Sequence, residues 1–437
     1  MKAKCVLIVV STFNPTMVAD MQRARMLAWE LPLLGWNVEV LTVRASEVRQ
    51  DIVDSDSLGF FPVNVPVHFV GSLGRRFWEV LGSRTHTWRT LLPVYRMGKH
   101  LLRSGRFDLV YFSTTTFPYF TLGHLWQRRF NVPYIVDFHD PWVKEETRAP
   151  IAGSWKSRLM RLLSAYMERW AVVNAAGLVS VSPSYITTLR RRYKGWEPAW
   201  FAPTRHAIIP FGAMERDLAE TTKLPGVGVR KRADEVIIHY IGAGGPIMLR
   251  SFGLICRSLS LMRSQRNALV ERVRIRLYGT IYNWKYGEPK VLESVAQDAG
   301  IGDLVSEYPG RVSYRRSLGL LLESDGALIL GVDDPGYMPS KLFGYALSGK
   351  PLLASLRRDG PAFTLLKKNP VVSHVIWIDS DSEMPLAEAV KAVDSFLREA
   401  ESRYTFDRAR VLAPYLSTAM AHRHVNLFNA CLTPWND

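Results

Sequence analysis

Residues 336–354 read G-Y-M-P-S-K-L-F-G-Y-A-L-S-G-K-P-L-L-A, and their punctuation points to the fold. Gly336 and Pro339 are turn residues. Ser340 stands where a helix would start, with a hydroxyl able to cap free backbone N–H groups. Leu342, Phe343, Tyr345, Ala346 and Leu347 supply about two helical turns. Gly349 follows where a left-handed cap residue is wanted. Residues 351–354 are then a short apolar strand. A helix start bearing Ser340 and Lys341 gathers free amides, the positive end of the helix dipole and an ammonium, which suits an anion. An ordinary strand–helix–strand crossover with a surface lysine has the same pattern, and this stretch alone does not separate the two.

The run before it, residues 325–332, D-G-A-L-I-L-G-V, is apolar in the manner of a parallel strand buried on both faces. Asp333, Asp334, Pro335 and Gly336 form the loop at its carboxyl end, where ligands of open α/β sheets bind. The same alternation begins the chain. Residues 5–10 are a buried strand, 11–18 a polar loop (S-T-F-N-P-T-M-V), 21–34 a helix stopped by Gly35, and 38–43 a second strand. The Gly-x-Gly-x-x-Gly fingerprint is missing, so a dehydrogenase-type dinucleotide site is not supported.

Strands follow at 107–112 and 132–138. The second ends in His139-Asp140-Pro141-Trp142, so that Asp137, an imidazole, a second carboxylate and an aromatic ring crowd one strand end. A sugar's hydroxyls and its stacking face need such groups; a loop-capping histidine and a packing tryptophan are the plainer reading. A helix over 156–175 carries Arg158, Arg161 and Arg169. Strands at 177–181 and 206–210 enclose a helix that starts near Ser182. Residues 214–234 are charged, contain Gly and Pro and lack periodicity, as an interdomain linker does. A strand at 235–241 runs into Gly242-Ala243-Gly244-Gly245-Pro246, a turn whose amides could approach a phosphate. Strand 273–278, then 312–314 and a helix at 318–322, continue the alternation, and 406–432 is helical.

A chain of 437 residues, 47% hydrophobic, has material for two domains. Cys5, Cys256 and Cys431 lie far apart without metal-ligand spacing, which fits buried thiols in a reducing, cytoplasmic compartment. The first ten residues read as a strand rather than a signal peptide. No stretch approaches the roughly 18 apolar residues of a membrane span, so any attachment would be peripheral, at the inner face. The formal charge of +16, from 56 basic and 40 acidic residues, favours a polyanionic partner. Residues 72–106 concentrate it. Arg75, Arg76, Arg84, Arg89, Arg96, Lys99, Arg103 and Arg106 face a single acid, Glu79, and are interleaved with Trp78, Trp88 and Leu91. That is the composition of a helix in an anionic membrane interface, or of a solvated face whose apolar side packs on a sheet. No nucleic-acid-binding module is recognisable, so nucleic acid is not expected as a partner.

Five segments carry a resemblance: V-L-I-V-V-S-T-F-N-P at the start, P-Y-I-V-D-F-H-D-P-W at 133–142, G-L-V-S-V-S-P-S-Y at 177–185, I-I-P-F-G at 208–212, and P-S-K-L-F-G-Y-A-L-S-G-K-P-L-L-A. Together they resemble the GT-B glycosyltransferases of the family 4 type, which are retaining and use nucleotide sugars. The resemblance implies an α/β architecture of two Rossmann-like domains facing a central cleft. The acceptor domain would be 1–213, the linker 214–234, the donor domain 235–405, and 406–437 a helical segment packing back on the first domain. It implies transfer of a sugar from a nucleotide diphosphate donor to a glycan or lipid-linked acceptor in polysaccharide biosynthesis, with no cofactor beyond the co-substrate and no metal. Lys341 would lie near the donor phosphates, Gly242, Gly244 and Gly245 would face the diphosphate, and Arg250 and Ser340 would stand beside them. His139 and Asp140 would face the reacting centre, with Ser11, Asn14, Asp137 and Trp142 on the acceptor side. The chain departs from the family at Gly344 and Gly336, where related enzymes carry glutamates, and at Ala243, where they carry an arginine. A catalytically inactive GT-B-like binding or regulatory subunit is therefore the alternative.

Overall fold

The computed structural model describes residues 3–74, 86–143, 155–223, 234–281, 284–285, 287–368, 374–403 and 405–433. The chain divides into two compact units, one of residues 1–211 and 417–437, the other of 212–416.

The first unit is built on a seven-stranded parallel sheet in the order β3-β2-β1-β4-β5-β6-β7. Its elements run β1 (Lys4–Val9), α1 (Gln22–Glu30), β2 (Trp36–Val43), β3 (Val67–Val70), α2 (His86–Leu102), β4 (Leu109–Ser113), α3 (Phe120–Phe130), β5 (Tyr134–Phe138), α4 (Trp155–Val173), β6 (Gly177–Ser180), α5 (Pro183–Arg192) and β7 (His206–Ile208). The residues of β4, β5 and β6 are all buried, as their continuous apolar runs require of strands covered on both faces. The strand order reverses between β1 and β4, so the loops after these two strands border the crevice where such sheets take ligands. The helix Ser417–Leu432 closes one side of this sheet. Phe428 sits edge-on to Trp36 and tilted against Tyr111, with ring centroids 5.5 and 5.2 Å apart.

The second unit holds a six-stranded parallel sheet in the order β10-β9-β8-β11-β12-β13. Its elements are α6 (Glu215–Thr222), β8 (Val236–Ile241), α7 (Leu249–Ser264), α8 (Ala268–Arg272), β9 (Val273–Tyr278), α9 (Val291–Asp298), β10 (Val305–Tyr308), α10 (Tyr314–Glu323), β11 (Gly326–Leu330), α11 (Leu342–Leu347), β12 (Leu352–Arg357), α12 (Pro361–Lys368), β13 (His374–Ile378), α13 (Leu386–Ser402) and α14 (Ala409–Leu412). The reversal here lies between β8 and β11, which carry the glycine turn and the 331–341 loop respectively.

Three sequence expectations change. Residues 214–222 are not linker: α6 packs on α10, and buried Asp217 accepts from the Tyr314 hydroxyl at 2.6 Å. Residues 224–233 lie outside the described part. Residues 312–314 are not a strand, because Ser313 caps α10, its hydroxyl accepting from the Arg316 N–H at 3.2 Å; the strand is β10. The tail splits, with 406–416 in the second unit and the final helix in the first.

Candidate functional site

In the second unit the glycine turn and the start of α11 meet. The Lys341 ammonium donates to the carbonyl of Ile241, the last residue of β8, at 2.6 Å, and the Tyr345 hydroxyl donates to the same oxygen at 2.6 Å. A Cβ on Gly242 would lie 1.9 Å from the Lys341 Nζ, and Gly242 has φ +154°. Only glycine leaves the ammonium this space. Lys341 is exposed as a residue while its ammonium packs against the strand end. Desolvation of that ammonium, with the Arg311 guanidinium acting in the same direction, pulls its pKa down to about 8. Two of its three N–H donors remain for an anion.

The turn's own amides are more committed than the sequence suggests. Gly242 donates to Tyr278 O and Gly244 to Thr280 O, each at 2.8 Å, extending the β8–β9 pairing. Among the described residues, Ala243 and Gly245 are the turn amides without an acceptor in the chain. Beneath the turn, the Thr280 hydroxyl donates to buried Glu307 Oε1. The other oxygen of Glu307 accepts from the amides of Leu292 and Glu293 at 2.9 Å, holding the first turn of α9. Ser340 does not cap α11, which begins at Leu342 without a side-chain cap. Its hydroxyl lies beside the lysine as a neighbour in sequence only.

In the first unit the ends of β1, β4 and β5 bring together a buried acid and its donors. Asp137 is fully buried. Its Oδ2 receives the Tyr111 hydroxyl at 2.8 Å and the Ser113 hydroxyl at 3.2 Å, and lies 2.7 Å from both Arg23 Nε and His139 Nε2. Burial would raise its pKa, but Arg23 and His139 overcome that and hold the carboxyl well below the usual carboxylate range. Asp137, expected on the acceptor side, is thus an anchor. It fixes His139, whose ring is 5% exposed and stands edge-on to Phe211 at 5.0 Å. The other imidazole nitrogen, Nδ1, is buried without a partner. Asp140 is exposed. Trp142 stacks on Phe117 at 5.6 Å and meets Phe120 edge-on, so packing occupies the ring expected to stack on a sugar. Ser11 accepts from Thr114 at 2.9 Å and donates to Asp20 at 3.2 Å; Asn14 lies in the same loop, half-buried.

Residues 21–212 match the model of the glycosyl transferase 4-like domain. No curated protein matches the sequence. Among solved structures, Anabaena HepE in complex with UDP has a TM-score of 0.58 at 12% identity, over 96% of this chain and 98% of that one. An E. coli trehalose-6-phosphate protein bound with UDP-2-fluoro glucose has a TM-score of 0.62 at 10% identity, over 99% and 100%. A S. aureus TarM variant in complex with fondaparinux, alpha-GlcNAc-glycerol and UDP has a TM-score of 0.57 at 10% identity, over 98% and 100%. The chain has the GT-B fold, and its residues 21–212 resemble the glycosyl transferase 4-like domain.

Several positions singled out for a GT-B donor site are committed elsewhere. Arg250 donates to the carbonyls of Ser380 at 2.6 Å and Ser382 at 3.2 Å, tying α7 to a loop after β13. Asp333, a candidate to replace a missing glutamate, pairs with Arg357. Asp334 accepts from the Gly336 amide at 2.7 Å and shapes the turn. An ideal Cβ on Gly344 has no atom within 4 Å outside the helix's own nearby backbone, so the first atom of a side chain has room at the position where the resemblance expects a glutamate. Sequence reasoning missed Arg23, Tyr111, Ser113, Thr280 and Glu307. A buried arginine inside an apolar helix (M-Q-R-A-R-M) was the one visible signal, and it names no partner. The helix α2, read as an interface candidate, packs its apolar side on the sheet through Val94, Leu101, Leu102, Leu91 and Tyr95. Arg89 is held by Ser72 Oγ and Leu73 O, and Arg106 pairs with Glu39 through two bonds of 2.7 Å. Arg75, Arg76, Trp78 and Arg84 lie outside the described residues.

Proposed function

We propose that this GT-B chain transfers a sugar from a nucleotide diphosphate donor to a hydroxyl of a glycan or lipid-linked acceptor in polysaccharide assembly, with retention at the anomeric carbon. The observation that carries this reading is the Lys341 ammonium, held beneath Gly242 at the carboxyl end of β8 by a single carbonyl. Charge develops on the leaving diphosphate as the glycosidic bond breaks, and a preplaced ammonium with uncommitted N–H groups stabilises it there. The Ala243 and Gly245 amides point to the same role. UDP accompanies HepE and TarM, and a UDP sugar accompanies the E. coli chain, which supports a UDP-sugar as the first donor to try. In the first unit His139, oriented by Asp137, is the group that would meet the reacting sugar or its acceptor.

The test is a panel of nucleotide sugars assayed for donor hydrolysis and for transfer to glycan and lipid-linked acceptors, with UDP binding measured by calorimetry. Turnover with one donor, lost in Lys341→Ala, supports the reading. A chain that binds no nucleotide sinks it in favour of a GT-B-shaped binding subunit, the reading that Gly336 and Gly344 motivate.

A further inference from the structure

The helix α4 turns an apolar stripe outward. Trp155, Leu159, Leu162, Leu163 and Tyr166 fall at i, i+4, i+7, i+8 and i+11, one face of an α-helix. They are 70%, 55%, 68%, 38% and 54% exposed. The later part of the helix goes under, with Ala171 and Val172 fully buried, so the stripe is a built projection of an anchored helix. The Arg169 guanidinium lies over the Tyr166 ring at 5.4 Å and over Trp196 at 5.1 Å. It thereby joins the stripe to a further tryptophan that is 55% exposed. A contiguous apolar surface of this kind is uncommon on a soluble face and marks an interaction site.

Charge selects the occupant. Residues 155–196 contain eight bases and one acid. That acid, Glu168, is buried and committed to Arg192 and Tyr193. Arg158 and Arg169 project along one flank of the stripe at helical spacing. A second copy docking through the same patch would set one basic face, with its single acid already committed, against another, which is repulsive. An anionic lipid surface meets both features. Leucines and aromatic rings enter the headgroup boundary, and guanidinium groups stay with the phosphates. The contrast with α2 is direct, because that helix spends its apolar side on the sheet.

We propose that α4, with Trp196, docks this unit flat on an anionic membrane surface. The proposal does not depend on the donor site. The full chain is mixed with vesicles of phosphatidylcholine and phosphatidylglycerol in equal parts, or of phosphatidylcholine alone, and sedimented. Co-sedimentation with the mixed vesicles, reduced at high salt, is expected, with little on the neutral ones. Leu159→Glu with Leu162→Glu abolishes it while the melting temperature holds, since both side chains are exposed. Arg158→Gln with Arg169→Gln weakens it about thirtyfold, and Arg75→Ser with Arg76→Ser and Arg84→Ser leaves it in place. The proposal is overturned by equal recovery on both vesicle types, by no recovery on either, or by leucine variants that bind like the parent. It is equally overturned if those variants turn a dimer into a monomer without lipid dependence, which assigns the face to a second copy. UDP binding, measured on the same samples, reports the donor site separately.

Discussion

A Cβ on Gly242 would take the place of the Lys341 ammonium, and two predictions rest on that. Lys341→Ala removes one hydrogen bond to Ile241 O but also relieves a desolvated ammonium, and because the two effects oppose, it changes the melting temperature little. It lowers kcat by about a hundredfold or more, the scale of losing one preplaced group that stabilises developing charge. Parallel losses in melting temperature and turnover would show the lysine to be structural. The second concerns pH. The ammonium's pKa is lowered from 10.5 to about 8. Between those values the unfolded chain holds a proton that the folded chain has released, so stability rises with pH across that window. UDP binding moves the opposite way and weakens above about pH 8, because the neutral amine no longer attracts the diphosphate. Calorimetric titration of UDP from pH 7 to 9, with Lys341→Met as a flat reference, measures this. A third prediction, independent of that pair, is Gly344→Glu, whose Cβ meets no atom within 4 Å outside the helix's own nearby backbone. Replacing a helical glycine gains somewhat under about 1 kcal/mol, so the variant melts at or above the parent temperature and binds nucleotide equally or more tightly. Unfolding of the variant would mean that the site is closed to a side chain.

At the scale of elements, the end of β5 gathers buried Arg23, Asp137 and His139 in the first unit. Asp137→Ala strands the Arg23 guanidinium, itself 2% exposed, and costs about 3–5 kcal/mol, the scale of breaking a buried pair. The final helix adds a second titrating group, His424, whose Nδ1–H donates to Met420 O at 2.7 Å and whose ring packs edge-on against Tyr111. Burial first, and Arg23 second, lower its pKa from 6.5 to about 3. As pH falls from 6.5 to 3 the unfolded chain takes up a proton that the folded chain refuses, so stability is lost through that window. The Asp137 carboxylate, held ionised by its partners, adds a further loss as pH falls below the range of an ordinary carboxylate. His424→Gln therefore flattens the fall in melting temperature between pH 6.5 and 4 while leaving the steeper loss below it. A His424→Gln profile that parallels the parent would place the acid sensitivity elsewhere.

For the whole molecule, the chain leaves the first unit after Phe211 and returns at Ser417. The returning helix contributes Met420, Leu427, Phe428 and Cys431 to the first unit, all buried, and Ser417 and Thr418 bond to Glu30 of α1. Deleting 417–437 therefore lowers the calorimetric transition of the first unit and leaves that of the second in place. A shift of both transitions, or of neither, would contradict the assignment of this helix. Among the described residues no helix is long and apolar enough to cross a membrane, and no group of His, Cys, Asp or Glu is placed to hold a metal.

The alternation of short apolar runs, polar loops and amphipathic helices was enough to read two parallel α/β units. Gly349, with φ +73°, ends α11 as its place after Leu347 predicted. These are properties of consecutive residues, where periodicity and turn chemistry act over one or two turns. Strand β3 was missed because it is four residues long and follows Pro66, and α6 because its buried groups are Asp217 and Thr221 rather than an apolar stripe. What only the tertiary structure decided was partnership. It set which amides of the glycine turn β9 consumes, which acid Arg23 neutralises across 114 positions, which unit claims the last helix, and that α2 buries its apolar side while α4 shows one. Each choice is made between residues far apart in the chain, where burial and electrostatics act through space and leave no trace in local sequence pattern.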